Sequence, residues 1–552
     1  METNATTQII SENSSIVFQS SSTFKNLPIV LEKDEHFGII SIELNETEIV
    51  QEKIGVIFTV DCSQSMSELC EDKKSKMEHA KHTLQKILVE FLLINENLLN
   101  TSSDVEIFVS VIAFDDQIYE IFDFEKITHE NFEMLIQKIQ KIEPNLATNI
   151  EIALHAATNN IEKYLKKKNT DNYKMYHIQL TDGLITAGEI RPKKLLNLIN
   201  DNYSNIFVGF GIYHDSELLE TLSSKKNGDY RFIDIIEKSG LVYGEIIHNI
   251  LYSALECPRL VIENGKIYDW KNNSWKNEIQ LSNLPSGVKK EFQIKSYTPD
   301  DVIIKLYGIY SNNTKNKEEL IIELTTEYDQ LPELIDTDGN IFGSIDLTKY
   351  AYRQLTQELL YEIKNYKVKP PHSENPNTMK IFNFDNNEID FSNKIKSLLE
   401  NIKNYMKTNH LENDNFMKLL VDDIYVCYKI FGTDFSKMFI TARQRSQGNQ
   451  NTYTPTSSDI TENKNINKPL KLNRSQTICC GDNNTYFNHK PLETLIKKSK
   501  SDDVELELEI GQLKFEDNNL DTTTPHIFGE INDNPYATPK IVKLMRNVSS
   551  RL

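Results

Sequence analysis

The sequence has few cysteines, and their spacing matches neither a zinc site nor a disulfide framework. Only 6 cysteines occur among 552 residues, and none belongs to a Cys-x-x-Cys pair or to a regular set with histidines. A zinc site or a disulfide framework would need such spacing, so the sequence supports neither. The thiols are therefore expected to be reduced.

Long apolar runs and an excess of positive charge are also missing. No segment reaches the roughly 18 apolar residues that a membrane helix requires, and residues 1–25 show no basic stretch followed by an apolar core. Lys and Arg number 61 against 81 Asp and Glu, which gives a formal net charge of -20. A protein that binds the phosphate backbone of nucleic acid needs a positive electrostatic potential. We therefore expect a cytoplasmic protein with no membrane span and no nucleic-acid partner.

The chain is too long for one ordinary domain, and its first large unit alternates strands with helices. Residues 37–255 are predicted to form a Rossmann-like, doubly wound α/β domain, in which helices cover both faces of a mostly parallel sheet. Strands are predicted at 55–60, 105–114, 117–122, 174–180 and 205–212, and helices at 73–95, 130–142, 149–166, 192–200, 216–223 and 237–253.

The pattern changes after this unit. Residues 256–330 contain short apolar strands separated by turn residues, which predicts a small β-sandwich. Residues 331–441 show apolar residues three and four apart, which predicts a helical segment. Residues 1–36 are expected to be a flexible N-terminal segment, and the Asn/Ser/Thr-rich residues 442–552 a disordered tail.

Three short segments of the tail region have two interpretations each. The alternation of apolar and acidic residues at 504–510 indicates either a strand or a transient extended segment. Residues 539–546 are either a docking peptide or solvated tail, and residues 443–446 are either a phosphorylation site or solvated tail.

Two loops of the predicted α/β domain carry oxygen-bearing side chains. Asp61, Ser63 and Ser65 follow the first strand, and Asp182 follows the strand at 174–180. Since ligands bind at the carboxyl ends of parallel strands, these groups should meet at one edge of the sheet. Hard oxygen ligands indicate a divalent cation. Taken singly, the same residues are ordinary in turns and helix caps.

Further side chains near these loops also allow simple structural interpretations. Thr148 lies just before a predicted helix and could be its N-cap. The pair Asp115 and Asp116 could widen an acidic rim or only turn a hairpin. Met66 and Cys62 are expected to pack in the core.

Taken together, Asp61-x-Ser63-x-Ser65, Thr148 and Asp182-Gly resemble the metal-ion-dependent adhesion site (MIDAS) of von Willebrand factor type A (VWA) domains. The resemblance implies Mg²⁺ or Mn²⁺ held directly by the two serines, by the threonine when a ligand is engaged, and by the aspartates mainly through waters. Such a cation would seek one more anionic oxygen from an Asp or Glu of a protein partner. Gln64 stands where Gly is common, and Leu146-Ala147 where Gly often precedes the Thr, but neither position supplies a ligand.

A wider resemblance covers roughly residues 35–450. Phe207-Val-Gly-Phe-Gly-Ile-Tyr-His-Asp and Thr441-Ala-Arg-Gln-Arg-Ser446 are similar to segments of VWA proteins that carry a C-terminal Vwaint region. Some relatives add a RING or U-box finger or a Hedgehog/intein-like domain. Neither RING zinc ligands nor an initiating Cys with a Thr-x-x-His pair is evident, so ligase and self-splicing activities are not implied.

These patterns predict a scaffold or adaptor that binds a protein partner through a divalent cation. A metal-dependent hydrolase is an alternative, but no histidine lies in the three metal loops and no Gly-x-Ser-x-Gly or His-Glu-x-x-His motif is present. A component of a ubiquitin or trafficking assembly that does not use the metal is the other alternative.

Overall fold

A computed structural model describes most of the chain before residue 453 and a short segment near its end. The described residues are 14–20, 28–46, 53–70, 73–99, 106–145, 147–168, 173–182, 184–211, 214–233, 239–310, 317–326, 334–335, 341–342, 347–366, 386–431, 436–452 and 534–549.

The described strands and helices are numbered in chain order. The strands are β1 (Ser15–Ser20), β2 (His36–Glu43), β3 (Lys53–Asp61), β4 (Glu106–Phe114), β5 (Ile118–Lys126), β6 (Lys174–Thr181), β7 (Ser204–Phe210), β8 (Gly228–Ile233), β9 (Ser253–Glu263), β10 (Lys266–Asp269), β11 (Ser274–Lys276), β12 (Glu278–Gln280), β13 (Leu284–Pro285), β14 (Lys289–Ser296), β15 (Ile303–Tyr310), β16 (Glu319–Thr325), β17 (Leu334–Ile335) and β18 (Ile341–Phe342). The helices are α1 (Lys76–Leu99), α2 (His129–Gln140), α3 (Ile150–Lys168), α4 (Pro192–Leu196), α5 (Ser216–Leu222), α6 (Ser239–Leu251), α7 (Thr348–Asn365), α8 (Asn386–Thr408), α9 (Asn415–Ile430), α10 (Ser436–Asn449) and α11 (Pro539–Ser549).

A six-stranded sheet forms the centre of the α/β domain. Its strand order is β5-β4-β3-β6-β7-β8, in which only β5 runs antiparallel to its neighbour. Along β3, Val56, Phe58 and Val60 pack toward α1 and α6, whereas Ile57 packs toward α3. Both faces of the strand are buried, which explains its continuous apolar run. The predicted doubly wound fold is confirmed.

The connections of this sheet create a crevice at its centre. From β3 the chain moves outward to β4 and β5, and from β6 it moves the other way to β7 and β8, while β3 and β6 are neighbours. The helices that follow β3 and precede β6 therefore lie on opposite sides of the sheet. Ligand sites in open α/β sheets form at such a switch point, outside the carboxyl ends of the strands.

Two sheets with a shared apolar core make up the sandwich. One has the order β1-β2-β14-β10-β11 and the other β12-β9-β15-β16, with β13 paired to β9. Ile40 and Ile294 of the first sheet share their core with Ile262 and Leu306 of the second.

The sandwich corrects two predicted boundaries. β2 pairs with β14 along its whole length, so residues 37–43 belong to the sandwich and not to the α/β domain predicted at 37–255. β1 pairs with β2, so the prediction of a flexible segment at 1–36 is wrong for residues 15–20. The partner strand β14 lies far from β2 in the sequence. The residues around β2 therefore give no local signal that it pairs with β14.

The helical module consists of α7, α8, α9 and α10, and it continues past the predicted end at residue 441. In α10, Thr441, Arg443 and Gln444 are each at most 1% exposed, because the helix lies between α7, α9 and α5. Both interpretations of residues 443–446, phosphorylation site and solvated tail, are therefore wrong. Their polar side chains are buried with partners, such as the Trp270 carbonyl that accepts from Gln444 Nε2 at 3.0 Å.

The last helix, α11, packs along α6 and against α1. Ile541, Met545 and Val548 are at most 2% exposed. The predicted disordered tail at 442–552 is thus wrong for 539–549, and of the two interpretations of 539–546 the structure supports a docking peptide, bound to its own chain. The possible strand at 504–510 lies outside the described residues. None of the described helices combines the length with the apolar composition that a membrane span requires.

Buried histidines connect neighbouring strands of the α/β domain. His177 on β6 lies between Thr59 Oγ1, at 2.8 Å from Nε2, and Asn205 Oδ1, at 3.1 Å from Nδ1. The amide oxygen can only accept, so Nδ1 carries the proton and Nε2 accepts from the threonine. His214 makes similar bonds to the Gly211 carbonyl and the Tyr230 hydroxyl. Burial lowers the pKa of each histidine to about 4.

These histidines predict a loss of stability in mild acid. A histidine with a folded pKa near 4 and an ordinary pKa near 6.5 takes up its proton in the unfolded chain first. The free energy of unfolding therefore has its full value above about pH 6.5 and decreases toward pH 4. At pH 5 the decrease is about 1–2 kcal/mol per histidine. Thermal melts should show this decrease between pH 7.5 and pH 5, and His177→Gln should reduce it. Melting temperatures independent of pH in that range would contradict the prediction.

Candidate metal site

Four of the five predicted site residues form one hydrogen-bonded cluster at the switch point. Asp61 ends β3, and Asp182 directly follows β6. The Ser63 backbone N–H donates to Asp61 Oδ1 at 2.8 Å, the hydroxyls of Ser63 and Ser65 are 3.0 Å apart, and Ser65 Oγ donates to Asp182 Oδ1 at 2.7 Å. The structure thus brings together the groups that the sequence placed on separate loops.

Thr148, the fifth residue, is held next to the cluster by its loop. The Asn145 N–H donates to the Cys62 carbonyl at 2.7 Å, and the Thr148 N–H donates to Thr186 Oγ1 at 2.8 Å. Thr148 is 3% exposed. Its interpretation as the N-cap of the following helix is wrong, because Asn149 Oδ1 accepts the Ile152 N–H at 3.3 Å and so takes that role.

Asp61 is fully buried and needs compensating interactions. Thr181 Oγ1 donates to its Oδ2 at 2.6 Å. Burial, together with the nearby charge of Asp182, raises the pKa of Asp61 above its ordinary value. Thr181 was not predicted as a site residue from the sequence, although it lies directly before Asp182 at the end of β6.

Lys76 is the second residue of the site that was not predicted from the sequence. Its Nζ lies 2.8 Å from Asp182 Oδ2 and 2.8 Å from Glu68 Oε2. Burial alone would lower the pKa of Lys76, but Asp182 and Glu68 outweigh it and raise that pKa. The residue begins α1, and nothing in the sequence separated it from the other lysines of that helix.

The charge of Lys76 predicts an effect on cation affinity. An ammonium group beside Asp182 repels a divalent cation, so Lys76→Met should strengthen Mg²⁺ binding about fivefold, on the order of 1 kcal/mol. Calorimetric titration of Mg²⁺ into both proteins measures the difference. Lys81→Met is the matched control on the same helix, since its amine bonds the Gln140 carbonyl away from the cluster. Equal Mg²⁺ affinities for parent and Lys76→Met would contradict the prediction.

The remaining residues near the loops have structural roles. Asp115 is buried and turns the chain into β5, since its Oδ1 accepts the Gln117 N–H at 2.6 Å. The hairpin interpretation of this residue is therefore confirmed. Met66 and Cys62 are at most 1% exposed, as expected for core residues. Burial, with Asp115 nearby, raises the pKa of the Cys62 thiol to about 12, which disfavours thiolate chemistry.

The donor set of the cluster fits a small divalent cation. Neighbouring oxygens around an octahedral Mg²⁺ are about 3 Å apart, given ligand distances of about 2.1 Å, and the hydroxyl oxygens of Ser63 and Ser65 are 3.0 Å apart. Among the described residues, no group of three or more His, Cys, Asp or Glu is placed to bind a metal. A cation at this edge would therefore depend on the hydroxyl oxygens as well as the carboxylates.

The comparisons with known proteins agree with this fold. Residues 55–240 match the family described as von Willebrand factor type A domain. The chain therefore contains a VWA domain, a class that commonly mediates metal-dependent protein interactions. A search of curated proteins gave no match.

Solved structures with similarity include several VWA proteins. A von Willebrand factor type A protein from Catenulispora acidiphila has 12% identity and a TM-score of 0.40, with 64% of this chain and 83% of that chain covered. The ArnB paralog VWA2 from Sulfolobus acidocaldarius has 13% identity and a TM-score of 0.39, with 79% and 98% covered. Proximal thread matrix protein 1 from the mussel byssus, described with a zinc-occupied MIDAS motif, has 18% identity and a TM-score of 0.30, with 40% and 51% covered.

Proposed function

We propose that the VWA domain captures an acidic residue of a protein partner through a divalent cation, as a scaffold or adaptor and not as an enzyme. The cation, Mg²⁺ or Mn²⁺, would be held at a MIDAS formed by Asp61, Ser63, Ser65, Thr148 and Asp182. When bound, it would offer a positive charge to a carboxylate oxygen of the partner. The observation that carries the proposal is the convergence of these oxygens at the switch point of the sheet.

The surface around the cluster supports a protein partner. Three large apolar side chains stand exposed on the loops that form the site: Leu69 at 70%, Leu184 at 57% and Ile190 at 66%. The loop at 184–190 is tied to Thr148, whose carbonyl accepts the Thr186 N–H at 3.0 Å. Exposed apolar groups beside a polar anchor are typical of protein-binding surfaces. We call Leu69, Leu184 and Ile190 the apolar rim.

The same loops give no support to hydrolysis. A hydrolase would need a general base beside the metal-bound water. Residues 61–65, 144–149 and 182–184 contain no histidine, and Thr181 and Lys76 already occupy oxygens of the two aspartates. The side chains of the site are therefore suited to hold a cation and to orient one another, which favours recognition of a partner over hydrolysis.

We also propose that the sandwich and the helical module correspond to a Vwaint region. The segment Thr441 to Ser446, whose sequence carries that resemblance, is buried in α10 against α5 of the VWA domain. In this arrangement the Vwaint region would support the VWA domain through the contact of α10 with α5.

An affinity capture with parallel Mg²⁺ and EDTA arms, read by mass spectrometry, tests the proposed function. A partner should be retained with Mg²⁺ and lost with EDTA or in Asp182→Ala. Leu184→Ser should weaken capture without changing cation affinity, because the rim contacts the partner only. Capture that survives both chelation and Asp182→Ala would instead favour a metal-independent role in a ubiquitin or trafficking assembly.

A further inference from the structure

A large cavity lies where the VWA domain, the sandwich and the helical module meet. Its volume is about 920 Å³, and its lining includes Ser204 and Gly228 at the starts of β7 and β8, Trp270 of the sandwich and Arg445 of α10. The MIDAS cluster is at the carboxyl ends of the strands, whereas this cavity is at their amino ends. The two are therefore separate sites, and we call this one the junction cavity.

The lining of the junction cavity has an excess of basic residues, whereas the chain as a whole has an excess of acidic residues. Lys and Arg outnumber Asp and Glu by nine to five in the lining, whereas acids outnumber bases by 81 to 61 in the sequence. Five of these nine cations are ion-paired with carboxylates: Lys225 with Asp201, Arg231 with Asp229 and Glu245, Lys276 with Asp269, Lys364 with Glu220 and Lys437 with Glu217. Such pairs neutralise part of the wall and leave the remaining cations to set its charge.

Three lysines of the wall form no ion pair with a carboxylate of the described residues. Lys290 donates to the carbonyls of Asn449 and Gln450 at 2.9 and 2.8 Å, and Lys271 lies 5.6 Å from the centre of the Trp270 ring. Lys226, the third, is exposed. These ammonium groups provide positive charge from two sides of the junction cavity, VWA domain and sandwich.

Arg445 adds a donor that is buried in the wall. The residue is 7% exposed, and its Nε has no hydrogen-bond partner within the part of the chain that the structure describes. Its charge is only loosely compensated, since Nη2 lies 3.6 Å from Asp229 Oδ1. An anion inside the junction cavity would balance the charge of this guanidinium from the cavity side.

The positive groups also affect one another. Desolvation of its amine, with the charge of Arg445 added, lowers the pKa of Lys271, although the residue as a whole is exposed. Burial lowers the pKa of Lys290 to about 8. For both lysines, desolvation of the ammonium group outweighs the attraction of the nearby carboxylates.

We propose that the junction cavity binds a small compound with several phosphate groups. The volume is that of a small-molecule site at a domain interface. Several separated Lys and Arg groups match a multivalent phosphate better than a single carboxylate. The net charge of -20 repels a long polyanion such as nucleic acid, but it does not prevent a small anion from entering a locally positive cavity.

Calorimetric titration of inorganic tripolyphosphate into the full chain tests the proposal. It is done in metal-free buffer at about 0.15 M ionic strength, where surface charges more than a Debye length apart are screened. ATP and inositol hexakisphosphate are titrated separately. The compound that binds most tightly indicates which kind of phosphate compound the cavity accepts. We expect saturable binding to the parent and at least tenfold weaker binding to the double variant Lys226→Glu, Lys271→Glu. Both lysines are exposed, so the variant should fold, which its melting temperature checks.

The matched control makes the same charge change elsewhere. Lys141 and Lys163 are exposed on other surfaces of the VWA domain, so Lys141→Glu, Lys163→Glu should bind tripolyphosphate like the parent. Equal weakening in both double variants, no binding to the parent, or loss of binding in Asp61→Ala would each overturn the proposal.

Discussion

Replacing Arg443 by methionine is expected to destabilise the protein by about 3–5 kcal/mol, because the change leaves a buried carboxylate without its counter-ion. Arg443 and Asp423 are each 1% exposed and bonded to one another, and Asp422 lies 3.1 Å from the same guanidinium. The pair joins α10 to α9. Since α10 also contacts the VWA domain, where Phe439 stacks edge-on against Phe232 at 5.2 Å, the loss should weaken the contact between the two modules.

Thermal melts and hydrogen exchange of α9 and α10 measure this effect. Lys437→Met is the matched control, because Lys437 of the same helix pairs with Glu217 on the surface, with 51% and 67% of the side chains exposed. Exposed pairs contribute at most about 1 kcal/mol. Adding Asp423→Leu to Arg443→Met should recover part of the loss, since it removes the unpaired charge. Melting of Arg443→Met at the temperature of the parent would show that the pair contributes little.

A leucine at Gly244 is expected to release α11 from the VWA domain. A Cβ at Gly244 would lie 2.4 Å from the Met545 Cα, and one at Gly240 would lie 2.5 Å from the Val548 carbonyl oxygen. Both contacts are with backbone atoms, so no side-chain rotation can relieve them. The two glycines of α6 thus permit the close approach of α11, and a larger residue forces the helices apart.

Hydrogen exchange of residues 539–549 detects the release of α11. Amides that are protected in the parent should exchange at least tenfold faster in Gly244→Leu, because the burial of Ile541, Met545 and Val548 is lost. Lys543→Ala changes an exposed position of the same helix and should leave the exchange unchanged. Unaltered protection in Gly244→Leu would mean that α11 does not depend on this contact.

The elements of the VWA domain were predictable because each has a local cause. Strands such as β3 and β6 are buried on both faces and therefore carry short apolar runs, while α2 and α3 show apolar residues on one face only. The loops after β3 and β6 follow from the same pattern, since parallel strands bring their carboxyl ends to one edge. The grouping of Asp61, Ser63, Ser65 and Asp182 was therefore accessible from sequence.

What could not be predicted depends on distant contacts. β2 lies in the sandwich because it pairs with the distant strand β14, and β1 joins the same sheet by pairing with β2. Similarly, α11 is a helix on the surface of α6, although the sequence before it has the composition of a disordered tail. The buried polar run of α10 looks solvated because its partners, such as Asp423 and the Trp270 carbonyl, lie on other segments. For the same reason the ion pair of Lys76 with Asp182 was missed, since only the folded chain brings α1 to the end of β6.

Titration of Mg²⁺ into the parent protein and into Asp61→Ala, followed by calorimetry and by thermal shift, tests the central claim that this edge binds a divalent cation. The parent should bind one Mg²⁺ per chain and gain thermal stability on binding. Asp61→Ala should lose both effects, while Asp116→Ala, an exposed aspartate beside the same loops, should keep them. Identical Mg²⁺ responses of the parent and Asp61→Ala would contradict the account.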